Sequence, residues 1–228
     1  MEQLQTLEGR AQFRRFKIGR SLGKGGMAEV FLASMMGPGG YEKLVALKCM
    51  HPLQEADEQL TRQFISEARL SGSLNHHNIV QTVDFGFDGQ KYYLALEYVD
   101  GITLSLLLSH CIRRKRPLPY GIIVDILRQI CDGLEYAHNA VNAQGAPLNM
   151  IHRDIKPSNI LINHHGLVKI ADFGVAKAAS NLNETVRGMV KGTVAYMSPE
   201  QATAQELDRR ADLFSLGVIL FAMLTLCL

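Results

Sequence analysis

Several functional classes are excluded by what this 228-residue chain lacks. Its four cysteines, Cys49, Cys111, Cys131 and Cys227, are widely spaced with no Cys-x-x-Cys pair. That argues against a zinc module or a disulfide framework and reads as reduced thiols in a cytoplasmic protein. The start, MEQLQTLEGRAQFRRFK, has no apolar core of the kind a signal peptide carries. The formal net charge is only +2, so there is no general drive toward nucleic acid, and the basic run RRKR at 113–116, followed by PLP, reads as a solvated loop. The uncharged stretch LFSLGVILFAMLTLCL at 213–228 is shorter than the roughly 20 residues needed to span a bilayer. Ser215, Gly217 and Thr225 dilute it further, so it is expected to be a buried core helix. The pairs His76-His77 and His164-His165 have no thiol or carboxylate at ligand spacing, which argues against a metal site built on them. Neither an internal repeat nor a low-complexity segment interrupts the chain.

What is present suits a globular protein with a real core, since 47% of the residues are apolar and 20% charged. The first hundred residues alternate short β-rich runs, FKIGRSL, EVFLAS, LVALKCM, IVQTVDFGF and KYYLALEYV, with hairpin turns expected at 37–40 and 88–90. Between the third and fourth runs, Leu60, Phe64, Ile65 and Ala68 recur at helical spacing, so one helix is expected to pack on this sheet. After DGITL the character changes to the helical segments LSLLLSHCIRR and YGIIVDILRQICDGLEYAHNAV. Two short strands, NILIN and LVKIADF, then flank the turn HHG, ahead of a long irregular stretch and the final apolar helix. The expected class is α+β, a small antiparallel β lobe followed by a larger helical one, with EYVDG as the crossing point.

Several residues invite chemistry. LGKGGMAEV at 22–30 places Gly23, Gly25 and Gly26 between two strands, where backbone N–H groups can approach phosphate oxygens without a Cβ in the way. It is neither a Walker A sequence nor a strand-to-helix dinucleotide turn, and many hairpins are glycine-rich. VALK puts Lys48 in mid-strand among apolar neighbours; buried, it would need an anionic partner, for which Glu67 is placed, and exposed, the pair would be an ordinary surface salt bridge. The triplet Asp-Phe-Gly occurs twice, at Asp84 and at Asp172, and either copy can be a metal-holding Asp or a plain turn.

The segment IHRDIKPSNILI decides between these, because it sets Asp154, Lys156 and Asn159 at the spacing Asp-x-Lys-x-x-Asn with Asp172 following in DFG. This set resembles the eukaryotic-type protein kinases, whose signature motifs are well known. LGKGGMAEV, HRDIKPSN and GTVAYMSPEQA are most similar to the bacterial Ser/Thr kinases. The resemblance implies a bilobal kinase-like fold, with an extension over 1–15, a small lobe over 16–98 and a large lobe over 99–228. It implies transfer of the ATP γ-phosphoryl group to a protein Ser/Thr hydroxyl, with ATP and Mg²⁺ as cofactors. Asp154 would orient the hydroxyl and accept its proton late, and Lys156 would neutralise charge on the transferred group. Lys48, held by Glu67, would bind the α- and β-phosphates under the loop of Leu22, Gly23 and Gly25. Val30, Ala46 and Leu161 would sandwich the adenine, backbone groups of Glu97 and Val99 would meet its edge, and Leu96 would guard the back pocket. Asn159 and Asp172 would share the metal, leaving Asp84 a decoy. Thr193 would brace Asp154 and Lys156, either in that role or as a plain turn threonine. Arg153 and Lys177 would form a cationic pocket for a phosphate on Thr185, or second on Ser180, added by autophosphorylation.

The chain departs from the family pattern in three places. Ala28 replaces the third loop glycine, and Ser71 stands one turn after Glu67 where the family has an apolar residue. The sequence also stops within or just after the helix that bears Asp212, so a large lobe lacking its last helices is expected, with no arginine to pair with Glu200. Two classes stay open on sequence alone: a Ser/Thr kinase, and a truncated non-catalytic product, either a nucleotide-binding or regulatory module whose apolar end associates with itself or a partner or a fragment that does not persist.

Overall fold

The computed structural model describes residues 15–51, 58–142, 144–173 and 194–227. The chain divides into two compact units, one formed by residues 1–68 and 81–98 and the other by 69–80 and 99–228.

The first unit is built on a five-stranded antiparallel sheet ordered β1-β2-β3-β5-β4, from β1 (Phe16–Lys24), β2 (Ala28–Met36), β3 (Glu42–Met50), β4 (Thr82–Phe87) and β5 (Tyr92–Glu97). The hairpin of β2 and β3 turns through the short 3-10 segment Pro38–Gly40, where Gly39 and Gly40 both take left-handed backbone angles. Period-two alternation sorts β3 into two faces. Val45, Leu47 and Cys49 pack with Phe16, Phe31, Ala33 and Ala95 on one side. On the other, Met50 joins Ala28, Leu94, Phe64 and Ala68, the last two from helix α1 (Glu58–Ser73). The expected helix thus forms, with Phe64 and Ala68 as its buried stripe. The fourth β-rich run is shorter as a strand than its composition predicts. Ile79 and Val80 leave the first sheet and belong to the second unit, where Ile79 bridges Ile170 and the Val80 N–H donates to the Ile170 carbonyl at 2.9 Å.

The second unit centres on helix α3 (Tyr120–His138), whose Ile123, Ile126, Ile130, Leu134 and Ala137 recur at helical spacing and are buried. Around them pack Leu104 and Leu108 of α2 (Leu104–Arg114) and Leu216, Ile219 and Met223 of α5 (Arg210–Thr225), together with Ile160, Val168 and Ile170 of a small sheet. That sheet, β6 (Gly101–Thr103), β7 (Ile160–Asn163) and β8 (Val168–Ile170), includes one strand, β6, too short to be legible in the sequence. Gly133 lets α3 lie against it: a Cβ there would sit 3.0 Å from Ile170 Cδ1 and 3.1 Å from the Asn78 carbonyl. The buried Gln129 carboxamide stitches the same place. Its Oε1 accepts from Asn78 Nδ2 at 3.1 Å and Val168 N–H at 2.8 Å, and its Nε2 donates to the Gly166 carbonyl at 3.1 Å.

Two expectations are corrected. RRKR is not all loop: Arg113 and Arg114 form the last turn of α2 and Lys115 caps it at φ 50°, all of them exposed, because the Lys115 N–H closes that turn on the Cys111 and Ile112 carbonyls. The final apolar helix begins earlier, at Arg210, and is buried on one face only, with Leu213, Phe214, Phe221 and Leu224 exposed. Among the described residues no helix is long and apolar enough to cross a membrane.

Candidate functional site

In the first unit, strand register gathers the residues nominated for nucleotide binding. Gly23 pairs with Val30, Val30 with Lys48, and Lys48 with Leu94, so these lie in one row across β1, β2, β3 and β5. Directly opposed residues share a face, and the next row brings Ala46 opposite Leu96 on that same side. This is the face on which α1 packs, and Lys48 Nζ meets Glu67 Oε1 there at 2.6 Å, both side chains nearly buried (11% and 7% exposed). Burial separates this pair from an ordinary surface salt bridge, because two charges this dry persist only together. Leu22 remains exposed on β1, and the glycine turn is closed by the Gly25 N–H donating to the Ala28 carbonyl at 2.9 Å. Ala28 itself is buried in the core under α1, so the departure from a third glycine is absorbed by packing. At Glu97 the backbone N–H donates to the Gln81 carbonyl at 2.9 Å and the carboxylate accepts from the Gln81 N–H at 2.8 Å. Val99 is half-buried at the start of the second unit, as is Leu161 on β7.

The second unit holds the other cluster. Asp154 Oδ2 receives Lys156 Nζ at 2.9 Å and Asn159 Nδ2 at 3.2 Å, so one carboxylate oxygen is fixed by two residues from its own loop. The 3-10 turn Pro157–Asn159 makes this possible by folding Asn159 back, and its Nδ2 also donates to the Asp154 carbonyl at 2.9 Å. The Ala171 N–H donates to the Asn159 carbonyl at 2.8 Å, which brings the segment bearing Asp172 to the same loop. Arg153 and Asp172 both take left-handed backbone angles (φ 66° and 55°), conformations that non-glycine residues hold only when their surroundings dictate it.

Those surroundings are visible around Arg153. Asp212, 1% exposed, accepts from the His152 N–H and the Arg153 N–H, each at 2.8 Å, and from His138 Nε2 at 2.8 Å. Burial alone would raise the Asp212 carboxyl, but the bond from His138 and the two backbone N–H bonds outweigh it and hold the carboxyl below its ordinary value. His152 is fully buried, and its Nε2–H donates to the Ala171 carbonyl at 3.0 Å while Nδ1 accepts the Asp154 N–H at 3.2 Å. Burial pushes this imidazole below its ordinary value despite the nearby carboxylates, which suits the neutral tautomer that both bonds require.

The first DFG has a different setting. Asp84, on the edge strand β4, is engaged by Arg15 Nη1 at 3.2 Å, Tyr93 Oη at 3.4 Å and the Phe85 N–H at 3.0 Å, contacts that join β4 to β5 and to the residue before β1. Thr193, Lys177, Thr185 and Ser180 lie outside the described residues. Glu200 Oε2 is buried with no hydrogen-bond partner among the described residues.

The family model for the protein kinase domain matches residues 16–228, nearly the whole chain. The chain belongs to the protein kinase family. It is 44% identical over 206 residues to the tyrosine-protein kinase MasK of Myxococcus xanthus, covering 90% of this chain and 32% of that protein. To the serine/threonine-protein kinase PrkC of Bacillus subtilis it is 37% identical over 211 residues, 92% of this chain and 30% of that one. Among solved structures it is similar to the kinase domain of PknI from Mycobacterium tuberculosis, at a TM-score of 0.67 and 27% identity over 93% of this chain and 74% of that one. This kinase domain spans about a third of the length of the curated relatives it matches. Family membership agrees with the α+β organisation, a β-sheet unit and a helical unit, expected from the sequence. Sequence reasoning noticed Asp212 but missed the bonds made by His138, His152 and Gln201, since His138 Nε2 and the His152 N–H reach Asp212 from 74 and 60 residues away and Gln201 Nε2 reaches the Arg153 carbonyl from 48.

Proposed function

We propose that this kinase domain transfers the γ-phosphoryl group of ATP to a protein hydroxyl, with Asp154 as the group that receives the hydroxyl proton. The observation that carries the reading is the Asp154 carboxylate held by Lys156 and Asn159 within 3.2 Å. In this reading the substrate hydroxyl oxygen forms the new bond to the γ-phosphorus, the bond to the β,γ-bridging oxygen breaks, and ADP leaves. Asp154 aligns the hydroxyl and takes its proton late, while the Lys156 ammonium offsets charge on the moving group. Lys48, desolvated against Glu67, would hold the α- and β-phosphates. Gly23 and Gly26 support the phosphate role of their loop: neither has a left-handed backbone, and a Cβ on either would meet nothing within 4 Å, so the fold itself does not demand glycine there. Close approach of a ligand to the backbone does.

The donor set suits Mg²⁺. Committing its Nδ2 to Asp154 makes the side-chain oxygen the ligating atom of Asn159, and with the Asp172 carboxylate this gives a pair of hard oxygen donors. Held by Asn159 and Asp172, such an ion would supply positive charge against the nucleotide phosphates. Free thiols throughout, with Cys49 buried and its thiol pushed up to about 12, support work in the reducing cytoplasm.

Lysine two residues after Asp154 supports Ser/Thr as the acceptor, whereas the 44% identity to a protein named a tyrosine kinase favours tyrosine as the second reading. We further propose autophosphorylation at Thr185, with Ser180 second. The test is γ-labelled ATP·Mg²⁺ transfer to a generic basic protein and to the chain itself, followed by phosphoamino-acid analysis and site mapping. Asp154→Asn and Asp172→Asn are each expected to lower transfer by roughly 10²–10⁴-fold while leaving the melting temperature close to the parent. Transfer undiminished in Asp154→Asn would refute the assignment, and phosphotyrosine as the only product would move it to the second reading.

A further inference from the structure

The peptide plane that joins Arg153 to Asp154 is gripped at both of its polar atoms. Its N–H, on Asp154, donates to His152 Nδ1 at 3.2 Å. Its carbonyl, on Arg153, accepts from Gln201 Nε2 at 2.8 Å. Gln201 lies in the short helix α4 (Pro199–Ala202) and is itself aimed by a reciprocal capping box. There the Ser198 N–H donates to Gln201 Oε1 at 3.2 Å, and the Gln201 N–H donates to Ser198 Oγ at 3.3 Å. Ser198 is fully buried, so the base of this clamp is fixed in the core.

We infer that Gln201 is a positioning residue for phosphoryl transfer, setting the direction of Asp154 by holding the carbonyl of the residue before it. Arg153 needs such a hold. At φ 66° it occupies a region that L residues leave readily, and Asp212 restrains only its N–H side, at 2.8 Å. Rotation of the next peptide plane would swing the Asp154 Cα–Cβ bond away from Lys156 and Asn159. Gln201 blocks that rotation, and it couples the start of α4 to the aim of the carboxylate. The inference rests on the role proposed above for Asp154.

Gln201→Glu separates the two functions of the side chain. Glutamate still accepts the Ser198 N–H and is the other residue that completes a capping box, so the start of α4 survives. A carboxylate cannot donate to the Arg153 carbonyl, and its second oxygen faces that carbonyl with like charge. The expected result is a kcat roughly ten- to hundred-fold below the parent, the range that small misplacement of a reacting group brings, with KM for ATP within twofold and the melting temperature retained. Amide hydrogen exchange over 152–155 should accelerate in the same variant. Gln205→Glu, an exposed neighbour, serves as the control with unchanged kinetics. A kcat within twofold of the parent, or unaltered exchange over 152–155, overturns the inference. Should the parent transfer no phosphate, the proposed function fails on its own, and exchange at the Asp154 amide decides the clamp: faster in Gln201→Glu supports it, unchanged refutes it.

Discussion

Replacing Asp212 by alanine is the sharpest test of how the second unit holds its loop. The carboxylate is 1% exposed and accepts from the His152 N–H, the Arg153 N–H and His138 Nε2, all at 2.8 Å. Alanine leaves the buried His152 N–H and the half-buried Arg153 N–H without this acceptor, at about 1–3 kcal/mol each, and releases His138 as well. Adding the hold on a left-handed Arg153, the expected loss is about 3–6 kcal/mol, a large share of the roughly 5–15 kcal/mol that stabilises a domain. Asp212→Asn keeps one oxygen for the Arg153 N–H but turns an NH₂ on the His152 N–H, so about 1–3 kcal/mol is expected. Urea denaturation at pH 7, with midpoint and slope fitted together, measures both. The carboxyl is held below its ordinary value in the folded state, so its stabilisation is fully present above the unfolded value near ~4 and is lost as pH falls through the lower folded value. The gap between parent and Asp212→Asn should therefore close on acidification below about pH 4. An alanine variant within about 1 kcal/mol of the parent at pH 7 would refute the reasoning, because no arrangement of three donors around one buried acceptor is that dispensable.

His152 gives a second pH signature. Burial favours its neutral form in the folded state, so the unfolded chain binds the extra proton and stability should fall as pH drops below about 6.5, by up to ~1.4 kcal/mol per pH unit. His152→Gln should flatten that slope between pH 5 and 6.5, and an unchanged difference in urea midpoints across this range would count against a buried neutral imidazole. Gly133→Val should cost about 1–3 kcal/mol by overpacking α3 against Ile170 and the Asn78 carbonyl, read as a lowered melting temperature. A Gly133→Val variant as stable as the parent would mean that α3 and β8 can separate freely.

Periodicity alone placed α1, α2 and α3, because each buries a stripe that repeats at 3.6 residues. The two hairpin turns at 37–40 and 88–90 were equally legible from glycine and aspartate. The motif spacing singled out Asp154, Lys156, Asn159 and Asp172, and the first three meet through one short 3-10 turn, so sequence neighbours became spatial neighbours. Local order carries little information about long-range partners, and there the sequence was silent. Strand β6 has only three residues and exists because β7 pairs with it. Ile79 and Val80 read as strand yet belong to the helical unit, since Ile170 captures them there. The two DFG triplets are identical as sequence. Tertiary structure alone gives Asp84 to Arg15 and Tyr93 on a sheet edge, and brings the segment of Asp172 to Asn159. Residue types and spacing thus determined which chemistry the chain can attempt; packing decided which donors and acceptors, Asp212, His152 and Gln201 among them, hold that chemistry in place, because those bonds close only when distant segments fold together.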